Sequence, residues 1–174
     1  MFGAMIAPPH AAPPALPAAL RWQWSRMADL TAAELYAALA ARQQVFAVEQ
    51  RCAFLDADGC DQHAWHLLGW VQDSATPELA AYLRVLDPGC KFAEPSIGRV
   101  LTLAPHRRTG LGRVVMREGI ARTRAAWPGR PIRIAAQQRL EPFYAGLGFR
   151  TASAPYDEDG IAHVDMLLDV SQGA

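Results

Sequence analysis

The sequence predicts a single α/β domain, on the evidence of its element order and its composition. Apolar alternation and helical periodicity give the order strand, helix, three strands, helix, strand, helix and two strands, which is typical of helices packed on a mixed sheet. The chain has 174 residues, of which 51% are hydrophobic and 20% charged. That is enough for one sizeable core. The sequence contains no internal repeat and no indication of a second domain.

The first part of the chain supplies an extension, a strand, a helix and a polar loop. Residues 1–19 are rich in Pro and Ala without any apolar period, so a flexible extension is expected there and the domain is expected to span 20–174. Residues 20–25 alternate like a strand. Thr31 is a suitable N-cap for a helix that runs through about residue 48. The polar, turn-rich stretch 49–63 predicts a loop or a broken short helix.

The remaining elements alternate between strands and helices. The central predictions are strands at 65–72, 79–86 and 97–103, a turn at 73–77, and a helix from about Arg113 to residue 126. The last predictions are a strand at 132–137, a short helix around Tyr144, and strands at 149–154 and 161–169 separated by a turn at 157–160.

The most informative motif is Arg107-Arg108-Thr109-Gly110-Leu111-Gly112, between the third central strand and the following helix. Glycines in such a turn let backbone N–H groups face a phosphate at the helix start, and arginines add forked, permanently charged donors. A Walker loop is excluded because no Gly-Lys-Ser/Thr follows, and the dinucleotide fingerprint fails because Val115 stands at its third glycine. The motif predicts a phosphate-bearing cofactor. A plain strand-to-helix turn with solvated arginines is the alternative for this hexapeptide taken alone.

Two patterns together resemble the GNAT N-acetyltransferase superfamily. The run R-x-x-G-x-G resembles its acyl-CoA pyrophosphate loop, and residues 142–149, PFYAGLGF, resemble its FYxxxGF element. The resemblance covers about residues 20–170. It implies the single-domain GNAT acyl-CoA N-acyltransferase fold, in which helices flank a central mixed, mostly antiparallel sheet.

A narrower resemblance lies in the first half of the chain. Residues 45–52, VFAVEQRC, followed by 56–61, DADGCD, are similar to the pattern VFxVEQxC and DxDGxD of the ElaA-like branch of these acetyltransferases. This assigns a branch within the superfamily.

The resemblance implies direct transfer of an acetyl group from acetyl-CoA to a primary amine in a ternary complex. Tyr144 stands where the superfamily has a tyrosine that protonates the departing thiolate, and a phenol with a pKa near ~10 suits that role. Ordinary core packing of Phe143 and Tyr144 is the alternative. Two further alternatives concern the whole protein. A silent acyl-CoA sensor would need neither Tyr144 nor a base, and an acyltransferase resembling homoserine-lactone synthases would take longer acyl chains.

The acceptor amine must lose a proton, so a base is expected. Glu49, at the end of the first helical region, is the first candidate. The alternative interpretation of Glu49 is a solvated helix-end glutamate or a structural salt bridge. His66 and Asp61 are alternatives, although buried structural hydrogen bonding is favoured for each. His163 is interpreted as a sheet-face residue.

The cofactor-binding residues follow from the same resemblance. Backbone groups of 101–103 would hold the pantetheine arm like an added strand, one N–H polarising the thioester carbonyl, while the loop amides bind pyrophosphate. Gln137 stands where many members have an asparagine that binds pantetheine. The expected acetyl-CoA contacts are Leu101, Thr102, Leu103, Arg107, Arg108, Thr109, Gly110, Leu111, Gly112, Arg113, Gln137 and Tyr144.

Charge and cysteine content exclude other classes. Seventeen basic and seventeen acidic residues balance, so no overall field draws the chain to nucleic acid or a membrane. No stretch approaches the roughly 20 apolar residues of a membrane span, and no secretory leader is evident, so a cytoplasmic location is expected. Cys52, Cys60 and Cys90 are odd in number and sparse, which argues against a disulfide framework. The spacing of Cys52, Cys60, Asp61, His63 and His66 matches no metal-ligand pattern, so reduced thiols and surface histidines are expected. The expected partners are acetyl-CoA and an amine-bearing acceptor, and exposed sheet edges would permit a homodimer.

Overall fold

The computed structural model describes residues 15–17, 19–72 and 76–170. Its strands are β1 (Leu20–Arg26), β2 (Ala64–Val71), β3 (Glu78–Leu86), β4 (Ser96–Thr102), β5 (Ile132–Gln137), β6 (Arg150–Thr151), β7 (Tyr156–Glu158) and β8 (Ile161–Leu168). Its α-helices are α1 (Ala32–Arg42), α2 (Leu111–Ala126) and α3 (Glu141–Ala145). Short 3-10 turns occupy Met27–Asp29, Asp61–His63, Ala104–His106 and Gln138–Leu140. Most of the predicted extension, residues 1–19, and part of the predicted turn at 73–77 lie outside the described residues.

The strands form one mixed sheet in the order β1-β2-β3-β4-β5-β8-β6, with β7 also paired to β8. Every described pairing is antiparallel except that of β4 with β5. This confirms the predicted mixed, mostly antiparallel sheet. The parallel pair is in register only at Ser96 and Arg133, where the Arg133 N–H also donates to the Pro95 carbonyl at 3.1 Å. Beyond that point β4 and β5 separate, and a gap opens in the middle of the sheet.

Apolar side chains cover both faces of the sheet. On one face α2 and α3 pack a large core that includes Val115 and Met116, both fully buried. On the other face Ala38 and Ala41 of α1 pack a smaller core against Tyr82 of β3. Both faces of the central strands are therefore buried, which explains why β2 and β3 are apolar almost throughout.

A bulge in β4 changes which face its side chains serve. Tyr82 pairs with Leu101 and Arg84 pairs with Gly98, so β4 carries one more residue than β3 across this interval. The extra residue lies at Arg99, whose φ is 51°. Because strand side chains alternate, the insertion lets Ile97 join the α2 core and Leu101 the α1 core.

Thr31 caps α1, as the sequence predicts. Its hydroxyl accepts from the Glu34 N–H at 3.3 Å, and the Glu34 carboxylate accepts from the Thr31 N–H at 2.8 Å, a capping box. The backbone hydrogen bond from Thr31 lowers the pKa of Glu34. The helix continues over Gln43–Glu49 as a π-helix, which the sequence does not predict, and the chain then enters the loop at 51–60.

The end of the chain departs from the sequence prediction. The strand expected at 149–154 is wrong in extent, since only Arg150–Thr151 forms a ladder. Pro155 lacks an N–H, so a ladder cannot continue through it. The residues next to the expected turn form β7, which makes a hairpin with β8 around Asp159 and Gly160, both at positive φ. The strand at 132–137 is confirmed, and α2 begins at Leu111, two residues before the predicted start.

Candidate active site

A cleft of about 670 Å³ lies at the gap between β4 and β5. Ile97, Ile134 and Tyr144 line it from the side of the α2 core. Phe46 and Gln50, from the end of the first helical region, line it from the other side. The cleft therefore passes through the sheet, so groups on opposite faces can meet there.

Tyr144 reaches the cleft from α3. It is 8% exposed and packs edge-on against Phe143 and Phe149, with ring centroids 5.0 and 6.1 Å away. Burial raises the pKa of Tyr144 to about 12. The phenol is therefore protonated at neutral pH and can act as a proton donor to a group that develops negative charge.

The phosphate loop, residues 107–112, joins β4 to α2 in the predicted position. Gly110 is the N-cap of α2 with φ 89°, a conformation that glycine adopts without strain. The Thr109 hydroxyl donates to the His106 carbonyl at 2.8 Å and accepts from the Leu111 N–H at 3.3 Å. This turn fixes the start of α2, where the Arg113 N–H donates to the Gly110 carbonyl at 3.0 Å and the Gly112 N–H has no hydrogen-bond partner among the described residues. The positive end of the helix dipole adds to this site, which suits an anion.

The three arginines around this loop differ in their contacts. Arg107 donates through Nε to the Thr102 carbonyl at 2.8 Å and through its terminal nitrogen to Glu49 at 2.6 Å. Arg108 is exposed, has φ 63°, and makes no ion pair with any described residue. The Arg113 guanidinium lies 5.5 Å from the centre of the Phe143 ring, also without a carboxylate partner in the described ranges.

The expected pantetheine contacts lie at and beside the cleft. On β4 the lining runs from Ser96 to Val100, so Leu101 to Leu103 lie between the cleft and the phosphate loop. The Leu103 N–H donates to the Ala80 carbonyl at 2.9 Å, and the Thr102 carbonyl accepts from Arg107. Gln137 does line the cleft, where its amide donates to Gln50 at 3.2 Å.

The candidate bases from the sequence are placed differently. Glu49 adjoins the lining residue Gln50 but is itself paired with Arg107. His66 is 1% exposed; its Nδ1 meets the Tyr82 hydroxyl at 2.7 Å and its Nε2 the Asp61 carbonyl at 3.0 Å. Burial lowers the pKa of His66. Both ring nitrogens of His66 are therefore engaged inside the protein, as the structural interpretation expects.

The DADGCD motif forms a cluster of three aspartates and three arginines, called here the aspartate–arginine cluster. Asp58 binds Arg84 in a bidentate pair at 2.7 and 2.6 Å. Asp61 accepts from Arg42 at 2.6 Å and from Arg84 at 3.0 Å. The other pairs are Asp56 with Arg42 and Arg99, and Asp58 with Arg99.

This cluster ties the loop at 51–60 to the helix and the sheet. Its arginines come from α1, β3 and β4, and Arg42 and Arg84 are almost completely buried. Burial opposes ionisation, but the hydrogen bonds and charges of the arginines nevertheless lower the pKa of Asp58 and of Asp61. Asp61, an alternative base in the sequence, is thus an ion-paired structural carboxylate.

Several residues of the cleft were not assigned to a site from the sequence. Glu158 and His163 line the cleft from the β7–β8 hairpin, and Cys52, Cys60 and Cys90 line it from loops. His163 and Glu158 could have been found only with the hairpin in place, since the sequence interpretation puts residue 158 in a turn. The Asp-Gly pair at 159–160 is the available indication of that hairpin. Within the described residues no group of His, Cys, Asp and Glu is arranged to hold a metal, and no helix is long and apolar enough to cross a bilayer.

A sheet that opens between two parallel strands, with a helix start suited to an anion and a buried phenol beside the gap, is the arrangement of an acyl-CoA-dependent acyltransferase. A family model described as an acetyltransferase (GNAT) domain matches residues 67–170. The chain belongs to the GNAT acetyltransferase family, with the single-domain GNAT acyl-CoA N-acyltransferase fold.

Relatives place the chain in the ElaA-like branch, which confirms the narrower resemblance. It is 36% identical to protein ElaA of Escherichia coli over 155 residues, covering 88% of this chain and 99% of ElaA. It is 40% identical to a UPF0039 protein of Synechocystis over 151 residues, covering 87% and 96% of the two chains.

Solved structures agree with this placement. The crystal structure of an acyl-CoA N-acyltransferase from Pseudomonas aeruginosa is similar with a TM-score of 0.80 and 37% identity, over 86% of this chain and 99% of that one. Escherichia coli ElaA is similar with a TM-score of 0.79 and 34% identity, over the same shares.

Proposed function

We propose that this protein transfers an acetyl group from acetyl-CoA to a primary amine by direct attack within a ternary complex. The observation that carries the proposal is the cleft through the sheet, with the Tyr144 phenol on one side and space for an acceptor on the other. Reactants that enter from opposite faces can be held in line, and such positioning supplies roughly 7 kcal/mol or more of rate acceleration.

In this proposal the phosphate loop binds the pyrophosphate of coenzyme A. The amides of Thr109 to Gly112 supply hydrogen bonds, and Arg108 and Arg113 supply charge, since neither is neutralised by a carboxylate in the described part of the chain. Arg107 shapes the loop through Thr102 and Glu49. The pantetheine arm follows Leu101 to Leu103 toward the cleft.

Bond formation and proton transfer are divided between the two faces. The amine nitrogen bonds to the acetyl carbon, the carbon–sulfur bond breaks, and the departing thiolate takes the proton of Tyr144. Gln137 contacts the pantetheine amides beside the gap. Glu49 remains the candidate base from the sequence, and its contact with Arg107 would have to be shared or opened for it to reach an amine.

The test is a panel of primary amines assayed with acetyl-CoA by thiol release, with calorimetry of coenzyme A binding in parallel. We expect saturable thiol release with at least one amine. Binding of coenzyme A without turnover on any amine would favour the silent sensor, and faster turnover with octanoyl-CoA would favour the longer-chain acyltransferase. Absence of both heat and turnover would overturn the acyl-CoA proposal itself.

The proposal also includes a cytoplasmic location. The described cysteines, Cys52, Cys60 and Cys90, are all free thiols, as is usual in a reducing compartment. A homodimer through the open sheet edges also stays a prediction, which size-exclusion chromatography with light scattering would test.

A further inference from the structure

A histidine with one uncommitted ring nitrogen lines the acceptor side of the cleft. We propose that His163 is the general base of the transfer reaction, taking the proton of the acceptor amine on Nε2. This inference rests on the proposed function, since it assigns a residue to a step of that reaction. The argument uses the tautomer of His163, its position and its neighbours.

The tautomer of neutral His163 follows from one hydrogen bond. Nδ1 lies 2.8 Å from the carbonyl oxygen of Ile161. A carbonyl oxygen can only accept, so Nδ1 carries the hydrogen in this contact. Nε2 is then the basic nitrogen and has a lone pair for an incoming proton.

The position of His163 suits a group that acts on the acceptor. It is paired across β5 and β8 with Gln137, and both side chains line the cleft that Tyr144 also lines. The side chain of His163 is 12% exposed, so it is largely removed from bulk water yet reaches the cavity. Base and acid thus border one cavity, as removal of a proton from the amine and delivery of one to the sulfur require.

Two neighbours hold and assist the ring. Tyr156 stacks on it with centroids 6.1 Å apart and an angle of 27° between the planes. A carboxylate oxygen of Glu158 lies 3.8 Å from Nε2, and this glutamate also pairs with Lys91 at 3.2 Å. At that distance Glu158 does not occupy the Nε2 lone pair through a hydrogen bond, and its carboxylate lies beside the nitrogen that takes the proton in the proposed step.

The other candidates lack such a free acceptor in the cleft. Glu49 accepts a charged hydrogen bond from Arg107 at 2.6 Å and is not part of the lining. His66 has both nitrogens engaged away from the cavity. In the proposed step the amine N–H bond breaks, its proton moves to Nε2, and the nitrogen lone pair forms the new bond to the acetyl carbon.

The experiment compares His163→Gln and His163→Asn with His63→Gln, an exposed histidine outside the cleft. With the best amine of the panel, we expect kcat to fall about 10²-fold in both His163 variants, with the Kd of coenzyme A within twofold of wild type. His63→Gln should match wild type in both. Glu158→Gln, at a partly exposed position that should fold in any case, should lower kcat several-fold.

A second readout separates a base from a structural histidine. The same assay is run with that amine and with its β,β-difluoro analogue. The analogue is less basic, so a smaller fraction of it is protonated and it depends less on a base. The deficit of His163→Gln should shrink at least fivefold with the fluorinated amine, whereas a structural defect would lower both rates alike.

The outcomes distinguish this inference from the proposed function. If wild type acetylates amines and both His163 variants retain kcat within threefold, the base assignment is overturned and the function stands. A larger kcat loss in Glu49→Gln than in His163→Gln, an equal deficit with both amines, or an unchanged kcat in Glu158→Gln would likewise overturn it. If wild type itself turns over no amine, the proposed function falls and the base assignment with it.

Discussion

Two groups of three arginines in this protein differ in how many of their members are paired with carboxylates. In the aspartate–arginine cluster, Arg42, Arg84 and Arg99 are all paired with carboxylates. Around the phosphate loop, Arg107 has a carboxylate partner, whereas Arg108 and Arg113 have none among the described residues. The first group therefore stabilises the fold, and the second leaves positive charge available to a ligand. A sequence motif alone does not distinguish arginines that stabilise the fold from arginines available to a ligand. The number of carboxylate partners of each arginine does.

The largest effect that would test this comparison concerns Asp61. Removing its carboxylate with Asp61→Ala leaves the buried Arg42 and Arg84 undercompensated, because both guanidiniums donate to it. We expect the free energy of unfolding to fall by about 3–5 kcal/mol, measured by urea denaturation. Asp29→Ala, at an exposed position, is the control and should change it by less than about 0.5 kcal/mol. A loss below about 1 kcal/mol in Asp61→Ala would show that the cluster is not structural.

The cleft should show the opposite pattern, a large cost in activity with little cost in stability. Tyr144→Phe removes only the hydroxyl, which makes no hydrogen bond within the described residues, and keeps the ring that packs on Phe143 and Phe149. We expect kcat to fall about 10²-fold, equivalent to about 2.7 kcal/mol, while the Kd of coenzyme A changes little. Steady-state kinetics and calorimetry measure the two. Equal losses in both, or no loss, would reject the role as acid.

The arginines of the phosphate loop should separate by their partners. Arg108→Ala should weaken coenzyme A binding about tenfold, or about 1.4 kcal/mol, with an effect that shrinks as salt is added. Arg107→Ala removes the contacts with Thr102 and Glu49 and leaves the Glu49 carboxylate unpaired beside the loop. We therefore expect weaker coenzyme A binding in this variant too, together with a change in loop stability that Arg108→Ala should not show. Calorimetry at two ionic strengths distinguishes them. Unchanged affinity in Arg108→Ala would remove that residue from the phosphate site.

The smallest expected effect is a loss of stability in acid. The arginines hold the pKa of Asp58 and of Asp61 below the unfolded value near ~3.9, so their contribution is complete above that value and is lost as pH falls toward the folded pKa. We expect the free energy of unfolding to fall by about 1 kcal/mol for each of these two aspartates between pH 6 and pH 3. Urea denaturation across this range measures it, and Asp58→Asn should give a shallower pH dependence. Identical slopes would mean that Asp58 titrates alike in both states.

Local patterns in the sequence predicted the strand at 132–137, the capped start of α1 and the turn before α2, because each depends on neighbouring residues. The gap between β4 and β5 depends on a pairing across 37 residues of chain, so no local pattern specifies it. Glu158 was missed for the same reason, since a hairpin carries it to the cleft, and His163 was interpreted from the sequence only as a sheet-face residue. The DADGCD motif was matched to a branch, but its role as a set of ion pairs appears only once three distant arginines converge.

The bulge at Arg99 makes the length of β4 matter more than its composition. Inserting one further residue between Val100 and Leu101, with the bulge kept as it is, would shift Leu101 and its successors by one position against β3, and every side chain beyond that point would turn to the opposite face. Leu101 would then leave the core beside α1, and the approach to the phosphate loop would rotate with it. A substitution in β4 changes one side chain, whereas such an insertion changes the face on which every later side chain of the strand lies.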